Sequence, residues 1–109
     1  MKIPDSVRIG GIDYEVAQVP DLNDGNNVLY GRIIYGQSII QINSSNQGHQ
    51  HRCIALWHEI LHGILEHAHL KIEEDELVVD VLSKGIYQVL QDNAGKFFDI
   101  KDGDALERS

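Results

Sequence analysis

The chain is poor in several residue types, and each scarcity excludes a class of protein. Cys53 is the only cysteine among 109 residues, so no disulfide can form within the chain. This usage is typical of a reducing compartment, and we expect the cytoplasm. Nine lysines and arginines stand against 17 aspartates and glutamates, a formal net charge of -8. Phosphate backbones are bound by basic patches, so we expect no direct contact with nucleic acid.

Long apolar runs are also missing. No stretch approaches the roughly 20 apolar residues of a membrane span, and we expect no membrane partner. The first residues, MKIPDSVRIGG, lack the apolar core of a signal peptide. The length suits a single domain over residues 1–109. Its polar tail, residues 96–109, is expected to dock through Phe97 and Phe98 and to fray beyond them.

Strand signals fill the first half of the chain. Apolar residues flank the pair Gly10 and Gly11, which can supply the positive φ angles of a tight hairpin turn, and Pro20 ends the second strand. The segments VLYGRIIY and SIIQIN, within residues 28–43, are rich in β-branched and aromatic residues. This pattern predicts two hairpins that form an antiparallel sheet.

Helix signals fill the second half. Apolar residues recur in steps of three and four over residues 50–70 and again over residues 73–93, and Gly95 is a plausible stop. Gly63 interrupts the first stripe, as glycines at close packing contacts often do. The predicted fold is therefore α+β, an antiparallel sheet of two hairpins followed by two antiparallel helices.

The first helix carries His58-Glu59-Ile60-Leu61-His62, an H-E-x-x-H sequence. Residues four apart stack on one face of a helix, so both imidazoles can bind one ion. Glu59 lies beside them and can reach a water molecule on that ion. These residue types at this spacing indicate a zinc site with two histidine ligands and a glutamate general base.

The same helix does not supply a third ligand. Glu66 shares the face, but it lies about 12 Å beyond His58 along the axis. The metzincin motif continues with a histidine at the position of Ala68, and His67 and His69 only flank it. The third ligand is therefore expected from another segment.

The second helix begins with an acidic run that offers this ligand. Glu76 and Asp80, in ELVVD, are four residues apart and share a face. Glu76 could bind zinc, and Asp80 could accept the N–H of a ligand histidine and so fix its tautomer. Glu73 and Asp80 remain alternative ligands. The short loop between the helices makes them antiparallel neighbours, which brings the acids within reach.

HEILH followed by ELVVD on a second helix resembles the gluzincins, zinc peptidases with two histidine ligands and one glutamate ligand. The short chain is also similar to small metallopeptidase domains of phages and prophages that are related to the ImmA/IrrE type. The resemblance implies a zincin-like fold in which His58, His62 and Glu76 bind Zn²⁺. It further implies that Glu59 is the general base and acid and that Asp80 supports a ligand histidine.

The resemblance covers residues 28–93. The chain has no predicted helix before the sheet and no obvious substrate-binding half after the third ligand. We expect hydrolysis of peptide bonds, with a narrow protein substrate that lies extended along an edge strand of residues 28–43.

Two other functions fit the sequence, a non-catalytic zinc-binding module that grips a partner and a structural domain without metal. The donor that would stabilise an oxyanion stays open among His67, His69, Tyr30 and Tyr35. His49, His51 and Cys53 match no structural zinc pattern, and a solvent-exposed helix start explains the histidines more simply.

Overall fold

A computed structural model describes residues 1–99 of the chain. Over these residues the chain forms four strands, β1 (Ser6–Ile9), β2 (Ile12–Val19), β3 (Gly31–Ile34) and β4 (Ile39–Asn43), and two helices, α1 (His49–His67) and α2 (Asp75–Phe97). A short 3-10 turn, Tyr35–Gln37, joins β3 to β4. The predicted α+β class is confirmed.

The sheet is mixed, and the expectation of a purely antiparallel sheet is wrong at its centre. The strand order is β1-β2-β4-β3. Both hairpins are antiparallel, but β2 pairs with β4 in parallel. Ile40 and Ile42 of β4 are fully buried, whereas the residues of β3 are only partly buried. The more apolar strand therefore takes the central position, and residues 20–30 carry the chain past it to the far edge.

The core lies between one face of the sheet and α1. Its buried members come from β1, β2, β4 and α1: Ile9, Tyr14, Val16, Ile40, Ile42, Ala55 and Leu56. The strand members alternate along the chain because successive side chains point to opposite faces of a sheet. This packing holds α1 against the strands that surround the candidate site.

α2 packs mainly on α1. The two helices run antiparallel, as predicted. Glu76, at the start of α2, lies beside His62, and Met1 links the other end of the pair. The Met1 ammonium donates to Gln91 of α2 (3.3 Å), and the Met1 carbonyl accepts from the Cys53 thiol of α1 (3.7 Å).

α1 approaches the sheet closely at Gly63. A Cβ at this position would lie 3.0 Å from Cδ1 of Ile9 and 3.2 Å from Cδ1 of Ile33. Four residues earlier, Glu59 faces Gly31, whose own Cβ would lie 3.4 Å from Cγ of Glu59. The start of β3 is therefore aligned with the H-E-x-x-H segment.

The end of α2 differs from the prediction. The helix continues past Gly95 to Phe97, with non-helical angles at Asn93 (φ -125°, ψ 15°). The Asn93 side-chain amide donates to the carbonyl of Val89 (2.9 Å), and such a bond competes with the helical backbone bonds.

The predicted docking of the tail through Phe97 and Phe98 is wrong. Both rings are more than half exposed and contact each other edge to face, with centroids 6.4 Å apart. The remainder of the predicted tail, residues 100–109, lies outside the described residues. No helix within residues 1–99 has the length and apolar character needed to cross a membrane.

Candidate metal centre

His58 and His62 lie one turn apart on the face of α1 that meets α2. Their Nε2 atoms are 3.2 Å apart, and their ring centroids are 4.9 Å apart. The side chains are 20% and 17% exposed. The two imidazoles therefore direct nitrogen atoms to one point at the edge of the core.

Glu76, in the first turn of α2, brings a carboxylate to the same point. Its Oε1 lies 2.5 Å from Nε2 of His62, and its Oε2 lies 3.4 Å from Nε2 of His58. Donor atoms of these three residues all lie within 4.8 Å of one another, close enough to bind a metal ion. The carboxylate is 74% exposed, so the cluster is closed by the two helices on one side and open on the other.

Among residues 1–99, this is the one group of three or more potential ligands that is close enough to share an ion. The sequence offers Glu73, Glu76 and Asp80 as third ligands, and the structure brings Glu76 to the two imidazoles. Glu73 is not part of the group. Asp80 meets the opposite side of the His58 ring, with Oδ1 3.9 Å from Nδ1.

Asp80 thus lies at the nitrogen that a supporting carboxylate would contact. The distance of 3.9 Å suits a charge interaction but exceeds that of a hydrogen bond. The other carboxylate oxygen, Oδ2, accepts from Nζ of Lys84 at 3.0 Å. Lys84 therefore helps to hold the Asp80 side chain beside the ring.

Glu59 is buried, unlike most glutamates, and is only 7% exposed. Burial raises the pKa of its carboxyl from 4.5 to about 7, and the negative charge of Glu76 adds to the increase. Because Gly31 has no side chain, the Glu59 side chain can pack closely against the start of β3. The site therefore combines a cluster that could hold a metal ion with a neighbouring carboxyl group that exchanges its proton near neutral pH.

A cleft of about 650 Å³ leads to this cluster. One wall comes from the chain that enters β3, including Val28 and Tyr30, and the other comes from α1, including Ile54 and His51. Glu76 and Asp80 line the end of the cleft that lies at the His58–His62–Glu76 cluster. β3 is the edge strand on this side, because it pairs with β4 alone.

Two residues of this cleft did not stand out in the sequence. The sequence favours an exposed helix start for His51, yet this residue lies about two helical turns before His58 and lines the cleft. Lys84 follows Asp80 by four residues, the spacing at which opposite charges pair on a helix. Both residues are recognisable by their helical spacing, His51 from His58 and Lys84 from Asp80.

The other histidines of the region have separate environments. Nε2 of His67 lies 2.9 Å from the hydroxyl of Tyr14, and the rings meet edge to face. His69 is exposed in the turn after α1, with a positive φ of 54°. His49 contacts the carbonyl of Met1 through Nε2. None of the three belongs to the metal-binding group.

Comparison with known proteins gave no match, either to a family model, to a curated protein or to a solved structure.

Proposed function

We propose that the protein is a zinc-dependent peptidase with a zincin-like, gluzincin-type site. One observation carries the proposal. Donor atoms of His58, His62 and Glu76 converge from two helices, and the buried Glu59 side chain lines the same cleft as His58 and Glu76. A structural metal site needs only ligands, whereas a hydrolytic site also needs a group that accepts and returns a proton.

The donor set fits zinc. Two imidazole nitrogens and one carboxylate oxygen suit this ion, and catalytic sites keep a fourth position for water or substrate. On a tetrahedral ion with Zn–N bonds of about 2.0 Å, two nitrogens lie about 3.3 Å apart. The separations of 3.2 Å between the two Nε2 atoms and of 3.4 Å between Oε2 of Glu76 and Nε2 of His58 are close to this value, whereas Oε1 of Glu76 lies nearer to Nε2 of His62, at 2.5 Å. The exposed side of the cluster leaves room for the fourth ligand.

A bound zinc ion would supply a Lewis acid that acidifies water and polarises a carbonyl group. Glu59 would take the proton of the attacking water and return it to the leaving amine. A pKa of about 7 suits both directions of transfer, because general acid–base catalysis is most effective when the pKa lies near the working pH. Burial would also keep competing water away from this carboxyl group.

Asp80 would orient the His58 ring. Its position beside Nδ1 favours the tautomer that carries the proton there, which leaves Nε2 free to bind metal. Lys84 would restrain Asp80 through the contact with Oδ2.

An extended peptide would lie in the cleft beside β3 and add to the open edge of the sheet. The position of the cleft next to this edge supports the proposal, because main-chain hydrogen bonds to an edge strand align a substrate independently of its sequence. A single small domain offers few additional contacts, and we infer a narrow protein substrate.

The test combines metal content with activity. Protein purified without added zinc should contain about one zinc ion per chain, and His58→Ala or His62→Ala should lose it. Glu59→Gln should retain zinc and abolish cleavage of a broad peptide library. Zinc-bound wild type and Glu59→Gln that are equally inert would instead indicate a non-catalytic zinc-binding module. Zinc-free protein of unchanged stability would refute the metal site.

A further inference from the structure

The chain that enters β3, residues 28–30, forms one wall of the cleft but is mostly exposed. Val28 is 64% exposed and Tyr30 is 69% exposed. Segments with few buried apolar contacts open more easily than the core of a fold. The position of this wall therefore depends on hydrogen bonds rather than on packing.

Asn43, the last residue of β4, supplies part of these bonds. It is buried, and its side-chain amide donates to the carbonyl of Leu29 (2.9 Å). Its backbone N–H donates to the carbonyl of Tyr30 (2.9 Å). Its Oδ1 accepts from the backbone N–H of Ser45 (2.8 Å). Asn43 therefore connects the entry of β3 to the centre of the sheet.

Gln47, in the loop between β4 and α1, supplies the other bonds. Its Nε2 donates to the carbonyl of Tyr30 (3.0 Å) and to the carbonyl of Asn43 (2.7 Å). An amide nitrogen carries two hydrogen atoms, so these two bonds use its full capacity as a donor. Gln47 also lines the cleft. This one side chain therefore joins the entry of β3 to β4 and to the start of α1.

The carbonyl of Tyr30 determines where the next N–H points. In a trans peptide unit the C=O and the N–H point in opposite directions. The Tyr30 carbonyl points to β4, so the N–H of Gly31 points to the open edge of the sheet. Gly31 lines the cleft and packs closely against Glu59. A main-chain donor is therefore available at this edge, on the residue next to the proposed proton acceptor.

We propose that Gln47 is a positioning residue for the substrate, a role that presupposes the proposed peptidase function. By holding the Tyr30 carbonyl, Gln47 fixes the Gly31 N–H in the orientation that donates to a main-chain carbonyl of an extended peptide. Both hydrogen bonds of Gln47 go to main-chain carbonyl groups, so it acts through the backbone and not on the reacting atoms. A donor that is fixed in advance reduces the loss of conformational entropy on binding.

The kinetic parameters distinguish this role from simple stabilisation of the loop. A residue that only stabilises the fold changes the fraction of folded enzyme, and with it the apparent kcat, but leaves KM unchanged. A residue that positions a donor for the substrate main chain changes KM and preserves kcat, because the bond is made equally in the bound substrate and in the transition state.

Two substitutions of Gln47 test the role with the peptide that the wild type cleaves fastest in the library. Gln47→Met keeps the length of the side chain but removes the donor. It should raise KM about 5-fold and change kcat less than about 2-fold. Gln47→Lys supplies an ammonium group that can reach both carbonyl oxygens, and it should recover most of the wild-type KM. A side chain that only fills space would give the opposite order.

Gln50→Met is the matched control. Gln50 is an exposed glutamine in the first turn of α1 and is not among the residues that line the cleft. This variant should keep the wild-type KM, and all the variants should keep the zinc content of the wild type.

Hydrogen exchange gives a second measurement that needs no substrate. The amides of Leu29 and Asn43 donate to the carbonyls of Leu22 and Tyr30. Both should exchange faster in Gln47→Met than in the wild type, whereas the amides of β1 should not change. An unchanged KM or unchanged exchange in Gln47→Met, with an active wild type, would overturn the role of Gln47 and leave the peptidase function intact. A wild type that cleaves no peptide would overturn both.

Discussion

At the residue scale, the burial of Glu59 favours the proposed chemistry but lowers the stability of the fold when its carboxyl group is ionised. Its carboxyl group is buried and lies near the negative charge of Glu76, so its ionised form is disfavoured in the metal-free protein. A proton acceptor with a pKa near neutrality serves hydrolysis, but the same environment costs folding free energy when the group is charged.

This conflict predicts a pH dependence of unfolding. The folded pKa of Glu59 is about 7 against 4.5 for the unfolded chain, so the folded state binds the proton more tightly. The contribution of Glu59 to stability is therefore greatest below pH 4.5, falls as the pH rises to 7, and is level above that. The loss is about 3 kcal/mol. Glu59→Gln should remove this loss, as urea unfolding in a chelator between pH 5 and 8 can show.

The control for this prediction is Glu66→Gln, which changes an exposed glutamate on the same helix. It should follow the wild-type pH dependence. If Glu59→Gln also parallels the wild type, the carboxyl group is not destabilised by burial.

His67 and His69 differ in role although they are neighbours in sequence. The Tyr14 hydroxyl, on a residue that is 1% exposed, has His67 as its partner. His67→Ala should lower the free energy of unfolding by about 1–3 kcal/mol, because it leaves a buried polar group unpaired. His69→Ala should change little, since His69 is exposed. Metal analysis should find the same content in both variants, and loss of metal from His67→Ala would contradict the assigned site.

At the scale of elements, the position of α1 on the sheet depends on Gly63. Its hydrogen atom faces Ile9 and Ile33, where a larger side chain has no space. Gly63→Val should therefore lower the free energy of unfolding by about 1–3 kcal/mol through overpacking. Gly95→Ala, at an exposed helical position with no neighbour within 4 Å of the added Cβ, should instead raise it by up to about 1 kcal/mol. Equal effects of the two substitutions in urea unfolding would contradict this difference in packing.

The elements themselves were largely predictable, because strands and helices follow local periodicity. The predicted helix over residues 50–70 corresponds to α1 (His49–His67), and both hairpins form. The end of α2 was predicted less well. Gly95 is a frequent stop signal, but the chain kinks at Asn93 and is helical again as far as Phe97.

At the scale of the whole molecule, the candidate metal centre joins α2 to the rest of the protein. α2 packs mainly on α1, and Glu76 is the residue that α2 contributes to the candidate cluster. A metal ion that binds the folded state but not the unfolded state should therefore stabilise the fold. The free energy of unfolding should rise by about 2.7 kcal/mol when the free metal concentration is 100 times Kd. Hydrogen exchange should slow most in the first turns of α2.

The matched variants are Glu76→Gln and Glu73→Gln. Glu76→Gln should reduce zinc affinity and this stabilisation strongly, because it removes a charged ligand. Glu73→Gln should reduce them little, since Glu73 lies outside the cluster. A larger effect of Glu73→Gln in zinc titrations would assign the third ligand to Glu73 instead.

The sequence by itself determined the features that depend on local geometry. The four-residue spacing of His58 and His62 places both rings on one face of a helix, whatever surrounds it, and Glu59 is adjacent by covalent connection. The same holds for Glu76 and Asp80 on α2. These relations predicted two halves of a metal centre without any knowledge of how the helices pack.

Only the tertiary structure decided how those halves meet. The packing angle and register of α2 on α1 bring Glu76, rather than Glu73, to the imidazoles and bring Asp80 to the far side of the His58 ring. The burial of Glu59 against Gly31 and the parallel pairing of β2 with β4 likewise depend on contacts between distant segments. Local periodicity carries no information about such contacts, because they result from the complementarity of whole surfaces.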